Sequence, residues 1–180
     1  MQKKNEQGFT LIEVIVVAAI IAILAGILVP LILKEIDESR ITRSYADARS
    51  ISNAMLVFKK DTAQWPIMDE DCNANLTLLK GSTGNDPGGL GAMFWDITSV
   101  GFMDDHLMTD NNECYGTKWK GPYIAMITPD PWGNVYVSNV KNFPVANAPV
   151  WIISAGPNGI IDTNAGASGL AGDDIGFRMK

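Results

Sequence analysis

Histidine is almost absent from this chain of 180 residues; His106 stands alone. One histidine excludes multi-histidine metal cages and the zinc-protease helix, which needs two. No Gly-x-Ser-x-Gly elbow and no phosphate-cradling glycine loop is present either, so the sequence carries no catalytic constellation and reads as a non-enzyme. Basic charge is scarce: 14 Lys and Arg against 20 Asp and Glu give a net −6, which argues against a surface built to grip a nucleic-acid backbone. Only two cysteines occur, Cys72 and Cys114, too few for a disulfide-dense scaffold. Glycine and proline are missing between Leu31 and Gln64, so nothing there breaks a helix.

What is present is concentrated at the start. Met1 to Gly8 form a short leader with Lys3 and Lys4, and an apolar run follows at once from Phe9 to Leu33. Within that run Thr10 and Glu13 are the notable polar residues. As a helix, Phe9 to Leu33 would measure about 37 Å, enough to cross a hydrocarbon core. A conventional secretory signal discards its apolar part after a small-residue site; here the basic part precedes the apolar part and no such site follows, so the helix is expected to stay on the mature protein. The two lysines place the leader in the cytoplasm and everything beyond about Lys34 outside. A carboxylate inside a membrane segment costs roughly 2.5–3.5 kcal/mol on insertion scales, so Glu13 is expected to have a function. Pro30 lacks an N–H and clashes with the carbonyl of Gly26, making residues 25–30 the weak point, either kinked or able to melt.

Gly8, Phe9 and Glu13 in this spacing resemble the prepilin class III signal shared by type IV pilins and type II secretion pseudopilins. The resemblance implies cleavage after Gly8 by an inner-membrane prepilin peptidase and methylation of the new Phe9 amine. It implies that Glu13 compensates the Phe9 amine of a neighbouring subunit in a helical homopolymer, and that the Pro30 region adjusts within the filament. The domain layout is then a leader at 1–8, a transmembrane and filament-core helix at 9–33, and a periplasmic domain at 34–180. Loss of the leader removes Lys3, Lys4 and Glu6 and leaves the mature chain at −7.

Downstream, Ile41, Tyr45, Ala48, Ile51, Met55 and Phe58 recur at steps of three and four, one apolar stripe on a helix running from about Thr10 to about Lys60. Trp65-Pro66 ends it. Leu90, Met93, Phe94 and Ile97 are spaced as a short amphipathic helix stopped near Gly101. Asp104 to Gly116 reads as a loop. Strands are expected at 122–127, 134–140, 150–154 and 175–179, rich in aromatic and β-branched residues, with a turn at Asp130-Pro131-Trp132-Gly133-Asn134. An even cysteine count in an exported protein points to a Cys72–Cys114 disulfide, with unpaired thiols or metal ligation as alternatives.

Gly121-Pro122-Tyr123-Ile124, the Asp130 to Tyr136 run, the Ser154-Ala155-Gly156 segment and Gly172-Asp173-Asp174-Ile175 resemble the C-terminal signature of the major pseudopilin of type II secretion. The fold implied is α+β: a type IV pilin fold, a long N-terminal helix packed on a small C-terminal antiparallel sheet. The acidic loop binds calcium in major pseudopilins, which implies Ca2+ here with Asn158, Asp162, Asp173 and Asp174 as ligands. Calcium takes six to eight oxygens, and these side chains supply them on a glycine-rich loop. The implied partners are further copies of the chain, an inner-membrane assembly platform, minor pseudopilins, and the membrane before assembly. The location implied is the inner membrane, single-pass, with the C-terminal domain in the periplasm. The alternative is a type IV pilus subunit for adhesion, motility or DNA uptake, which a cysteine pair favours.

Overall fold

The computed structural model describes residues 8–111 and 113–180; Lys3 and Lys4, from which the orientation was read, lie outside them. The chain divides into two units, residues 1–39 and 40–180. Helix α1 spans Leu11–Thr62, with Pro30 inside it and the helix continuous through that point. Two lysines, Lys59 and Lys60, lie in its last turn, where cations suit the negative end of the helix dipole. Thr62 ends it by turning its hydroxyl onto the Phe58 carbonyl, 2.8 Å away, and Ala63 follows in the left-handed region.

Five strands follow: β1 (Leu78–Lys80), β2 (Val100–Phe102), β3 (Val137–Ser138), β4 (Trp151–Ser154) and β5 (Ile175–Arg178), with a single helical turn α2 (Asp104–Leu107). They form one sheet in the order β2-β1-β3-β4-β5. The α+β pilin architecture is present, and the sheet is mixed rather than wholly antiparallel, because β1 and β2 run parallel with Leu79 opposite Gly101. The β3–β4 and β4–β5 pairs are antiparallel, with Ile152 opposite Ser138 and Phe177.

Alternation along the strands sends side chains to both faces, and both are covered. On one face Leu79, Tyr136 and Ile152 meet Ala48, Ile51, Met55 and Phe58 of α1. Phe58 is fully buried and sits edge-on to Tyr115 and Tyr123, with ring centroids 4.7 and 5.5 Å apart. On the other face Leu78, Val137, Trp151 and Ile153 pack with Trp95 and Ile161. The stripe read from sequence is buried from Ala48 on, whereas Ile41 and Tyr45 remain 45% exposed. Ser44 takes the buried place instead, 3.4 Å from the Tyr136 hydroxyl.

Four expected elements differ, the first being the loop read at Asp104 to Gly116, which opens with the helical turn α2 at Asp104–Leu107. Residues 90–94 form a turn rather than the start of a helix, with Phe94 at φ 60° and the Trp95 N–H returning to the Leu90 carbonyl, and residues 95–97 have no regular structure. Gly101 lies within β2, where a Cβ would fall 2.7 Å from Leu76. Residues 122–127 are not a strand: Tyr123 donates to the Leu107 carbonyl, and the segment is held by the packing of Tyr123, Ile124 and Ile127 into the core. The expected strand at 134–140 shortens to Val137–Ser138.

Candidate functional site

Two sites emerge, one in each unit. The first is the start of α1. Phe9 is 89% exposed, and the apolar residues from Leu11 to Leu33 are also exposed. Residues of this helix have the length and composition to cross a membrane. Glu13 bends back to the helix start: its Oε2 accepts from the Thr10 N–H at 2.8 Å and the Thr10 hydroxyl at 2.7 Å, while the Thr10 hydroxyl accepts from the Glu13 N–H at 3.4 Å. This is a reciprocal capping box, which satisfies end donors of the helix that hydrocarbon would leave unpaired. Gly8 has open space around it and precedes Phe9 directly. Phe9 and Glu13 thus lie together at one end of an uncovered apolar stem, and Pro30 lies further along the same helix.

The second site is the acidic loop between β4 and β5. Asp174 is 6% exposed, and its Oδ2 accepts the N–H groups of Asp162 and Thr163 at 2.9 and 2.7 Å. Asp173 accepts the Asn158 N–H at 3.0 Å, and the Asn158 amide donates to Asp162 Oδ2 at 3.2 Å. The loop therefore gathers all four predicted residues. Its glycines are close-fitted: a Cβ on Gly172 would meet Asp162 Oδ2 at 2.2 Å, and one on Gly156 would meet the Asp173 carbonyl at the same distance. Oδ1 of Asp173 and Oδ1 of Asp174 are buried with no hydrogen-bond partner. Burial pushes the Asp174 carboxyl above the usual range; hydrogen bonds from Thr163 and Asp162 oppose that rise, and the Asp162 charge adds to it. Buried carboxylate oxygens without donors are costly, and a hard cation satisfies such oxygens. Among the described residues no three His, Cys, Asp or Glu side chains are grouped tightly enough to cage a metal alone. The residues fit a cation that also draws on amide and carbonyl oxygens, a donor set calcium accepts.

A buried network supports this loop and was not legible beforehand. Asp130 Oδ1 accepts the Trp132 and Asn134 N–H groups of its own turn, while Oδ2 accepts the Ser154 hydroxyl at 2.5 Å. Ser154 in turn accepts the Gly156 N–H at 3.1 Å. The only sequence sign was an aspartate opening a turn cluster, the position where a carboxylate caps backbone N–H groups.

Cys72 and Cys114 are bonded to one another, with Cα atoms 5.2 Å apart. His106 lies on α2, 4% exposed, with Nδ1 3.1 Å from the Tyr115 hydroxyl. Burial lowers its pKa to about 4, which suits a neutral core residue.

An uncovered membrane-length stem with a single carboxylate, continuing into a helix packed on a small sheet, defines a type IV pilin-like filament subunit. Residues 3–29 match the prokaryotic N-terminal methylation motif, and residues 103–173 match the family of type II secretion system protein G. The chain is 29% identical over 136 residues to type II secretion system core protein G of Pseudomonas aeruginosa, covering 76% of this chain and 75% of that one. The counterpart from Aeromonas hydrophila is 27% identical over 179 residues, covering 98% and 94%. That from Klebsiella pneumoniae is 23% identical, covering 96% and 94%. No solved structure matches. The chain is thus a type IV pilin-like protein similar to core protein G, the major pseudopilin, of type II secretion systems.

Proposed function

We propose that this chain is the repeating subunit of a type II secretion pseudopilus. Before assembly it is a single-pass inner-membrane protein whose leader faces the cytoplasm and whose domain from about Lys34 faces the periplasm. A prepilin peptidase removes residues 1–8 and the Phe9 amine is methylated. Subunits then polymerise on an inner-membrane platform together with minor pseudopilins, and growth of the helical homopolymer drives folded cargo outward. The work is structural rather than catalytic. The observation that carries this reading is the stem: the subunit leaves Leu11 to Leu33 uncovered, and only a membrane or neighbouring stems can cover them in water.

Within a filament, Glu13 exchanges its contacts with Thr10 for the Phe9 amine of a neighbour. A buried charge that loses its partner is strongly destabilising, so this pairing would fix the register between subunits. We also assign calcium to the acidic loop. Asp173 and Asp174 would hold it through the oxygens that lack donors, with Asp162 and Asn158 beside them. Bound there, the ion supplies positive charge to a loop that otherwise holds carboxylates against one another.

Mass spectrometry of the chain taken from membranes tests the first claim: the expected N-terminus is a methylated Phe9. An intact Met1 in cells with active peptidase contradicts it. Thermal unfolding with calcium and with chelator tests the second. At a calcium concentration about 100 times Kd, stabilisation by about 2.7 kcal/mol is expected, and Asp173→Ala should abolish most of it. Equal melting temperatures in the two conditions refute the calcium assignment.

A further inference from the structure

The loop from Asn158 to Ala165 is held by a second piece of chain that no functional reading has yet used. Gly88 donates its N–H to the Gly159 carbonyl at 2.9 Å, and its own carbonyl accepts the Ile161 N–H at 2.9 Å. The Trp95 indole Nε1–H donates to the Thr163 carbonyl at 2.8 Å, and the Met93 carbonyl accepts the Ala165 N–H at 3.0 Å. The contacts fall on alternate residues, 159, 161, 163 and 165. The carboxylates engage the loop at other groups: Asp174 takes the Asp162 and Thr163 N–H groups, and Asp173 takes that of Asn158. One set of backbone groups is thereby spent on residues 88–95, and another on the carboxylates.

The geometry of residues 88–95 is specialised for this. Gly89 has φ +84°, and a Cβ there would lie 2.4 Å from the Ile161 carbonyl oxygen, so only glycine permits the approach. Phe94 accepts φ +60°, a costly conformation for a bulky residue. The result is that Phe94 is turned out, 79% exposed, while the next residue, Trp95, is turned in, 2% exposed, against Leu78, Val137 and Ile153. The indole is anchored in the sheet's second core, and its N–H reaches the metal loop from a fixed point.

We propose that residues 88–95 are a strap that holds the acidic loop in its calcium-ready shape, with Trp95 as the positioning residue. The inference rests on the calcium assignment above. A loop already ordered by the strap leaves calcium less conformational entropy to overcome, so affinity depends on contacts that never touch the ion.

The test uses the full chain in detergent. Calcium affinity is measured by calorimetry, and exchange of the Ile161 and Ala165 amides is measured in chelator, without metal. Trp95→Phe keeps an aromatic ring and removes the N–H; Gly89→Ala forces the strap off Ile161. Ser138→Ala is the control, a buried hydroxyl on β3 outside the strap and without a partner. Both strap variants should lose affinity, Trp95→Phe roughly three- to tenfold as expected for one lost hydrogen bond, and both should exchange faster at Ile161 and Ala165. The control should bind as wild type does, whatever its stability. Wild-type binding with both variants within twofold of it, and unchanged exchange, overturns the strap alone. A wild-type chain that binds no calcium overturns the calcium assignment, and the strap's role with it.

Discussion

Acid should weaken this fold in large part through His106. His106 is 4% exposed, its Nδ1 is 3.1 Å from the Tyr115 hydroxyl, and burial lowers its pKa from 6.5 to about 4. The folded state therefore prefers the neutral ring. Between pH 6.5 and 4 the unfolded chain binds a proton that the folded chain refuses, so stability falls as pH falls through that window. At 1.36 kcal/mol per unit, the shift corresponds to about 3 kcal/mol by pH 4, a large share of the roughly 5–15 kcal/mol that hold a domain together. His106→Asn keeps a hydrogen-bonding group beside the Tyr115 hydroxyl and does not titrate. Asp105 and Asp110 have raised pKa values through burial, which works in the opposite direction, but both proteins share them. Urea unfolding at pH 7 and pH 4 should show wild type losing about 3 kcal/mol more than the variant. Equal losses in the two proteins would refute the reasoning.

Other perturbations give distinct readouts. Glu13→Ala should reach the membrane at the normal level and yield severalfold fewer filaments, counted after shearing; a normal yield would show that Glu13 is not an assembly contact. The Cys72→Ser, Cys114→Ser double variant should lose about 4 kcal/mol in urea, the chain-entropy value for a closed loop of this span; a loss under about 1 kcal/mol contradicts that model. Phe58→Ala removes a fully buried ring from the helix–sheet contact and should cost about 3–5 kcal/mol, read as a lowered urea midpoint.

The parts legible in the sequence were those with long or regular signals. The stem announced itself by an apolar run interrupted only by Thr10 and Glu13, and β4 and β5 by their aliphatic and aromatic content. The acidic loop was visible because Gly172-Asp173-Asp174-Ile175 resembles the C-terminal segment of major pseudopilins. Short, non-local features stayed hidden. Leu78–Lys80 and Val100–Phe102 are three residues each and pair in parallel across the long irregular segment 81–99, so no local pattern marks either. The helical spacing of Leu90 and Met93 was overridden by tertiary contacts, since Gly89 and Trp95 serve the loop at 159–165 rather than a helix of their own. Ser44 and the Asp130–Ser154 pair are buried polar groups whose partners lie 92 and 24 residues away, which composition does not reveal.

The central claim is that this chain builds a filament that secretes proteins. Deleting it, then assaying secretion of folded exported proteins, twitching motility and DNA uptake in the same cells, tests that most directly. Secretion should be lost, with twitching and uptake intact, and the full chain should restore it. Intact secretion with twitching or uptake lost would contradict the account and make the chain a type IV pilus subunit instead.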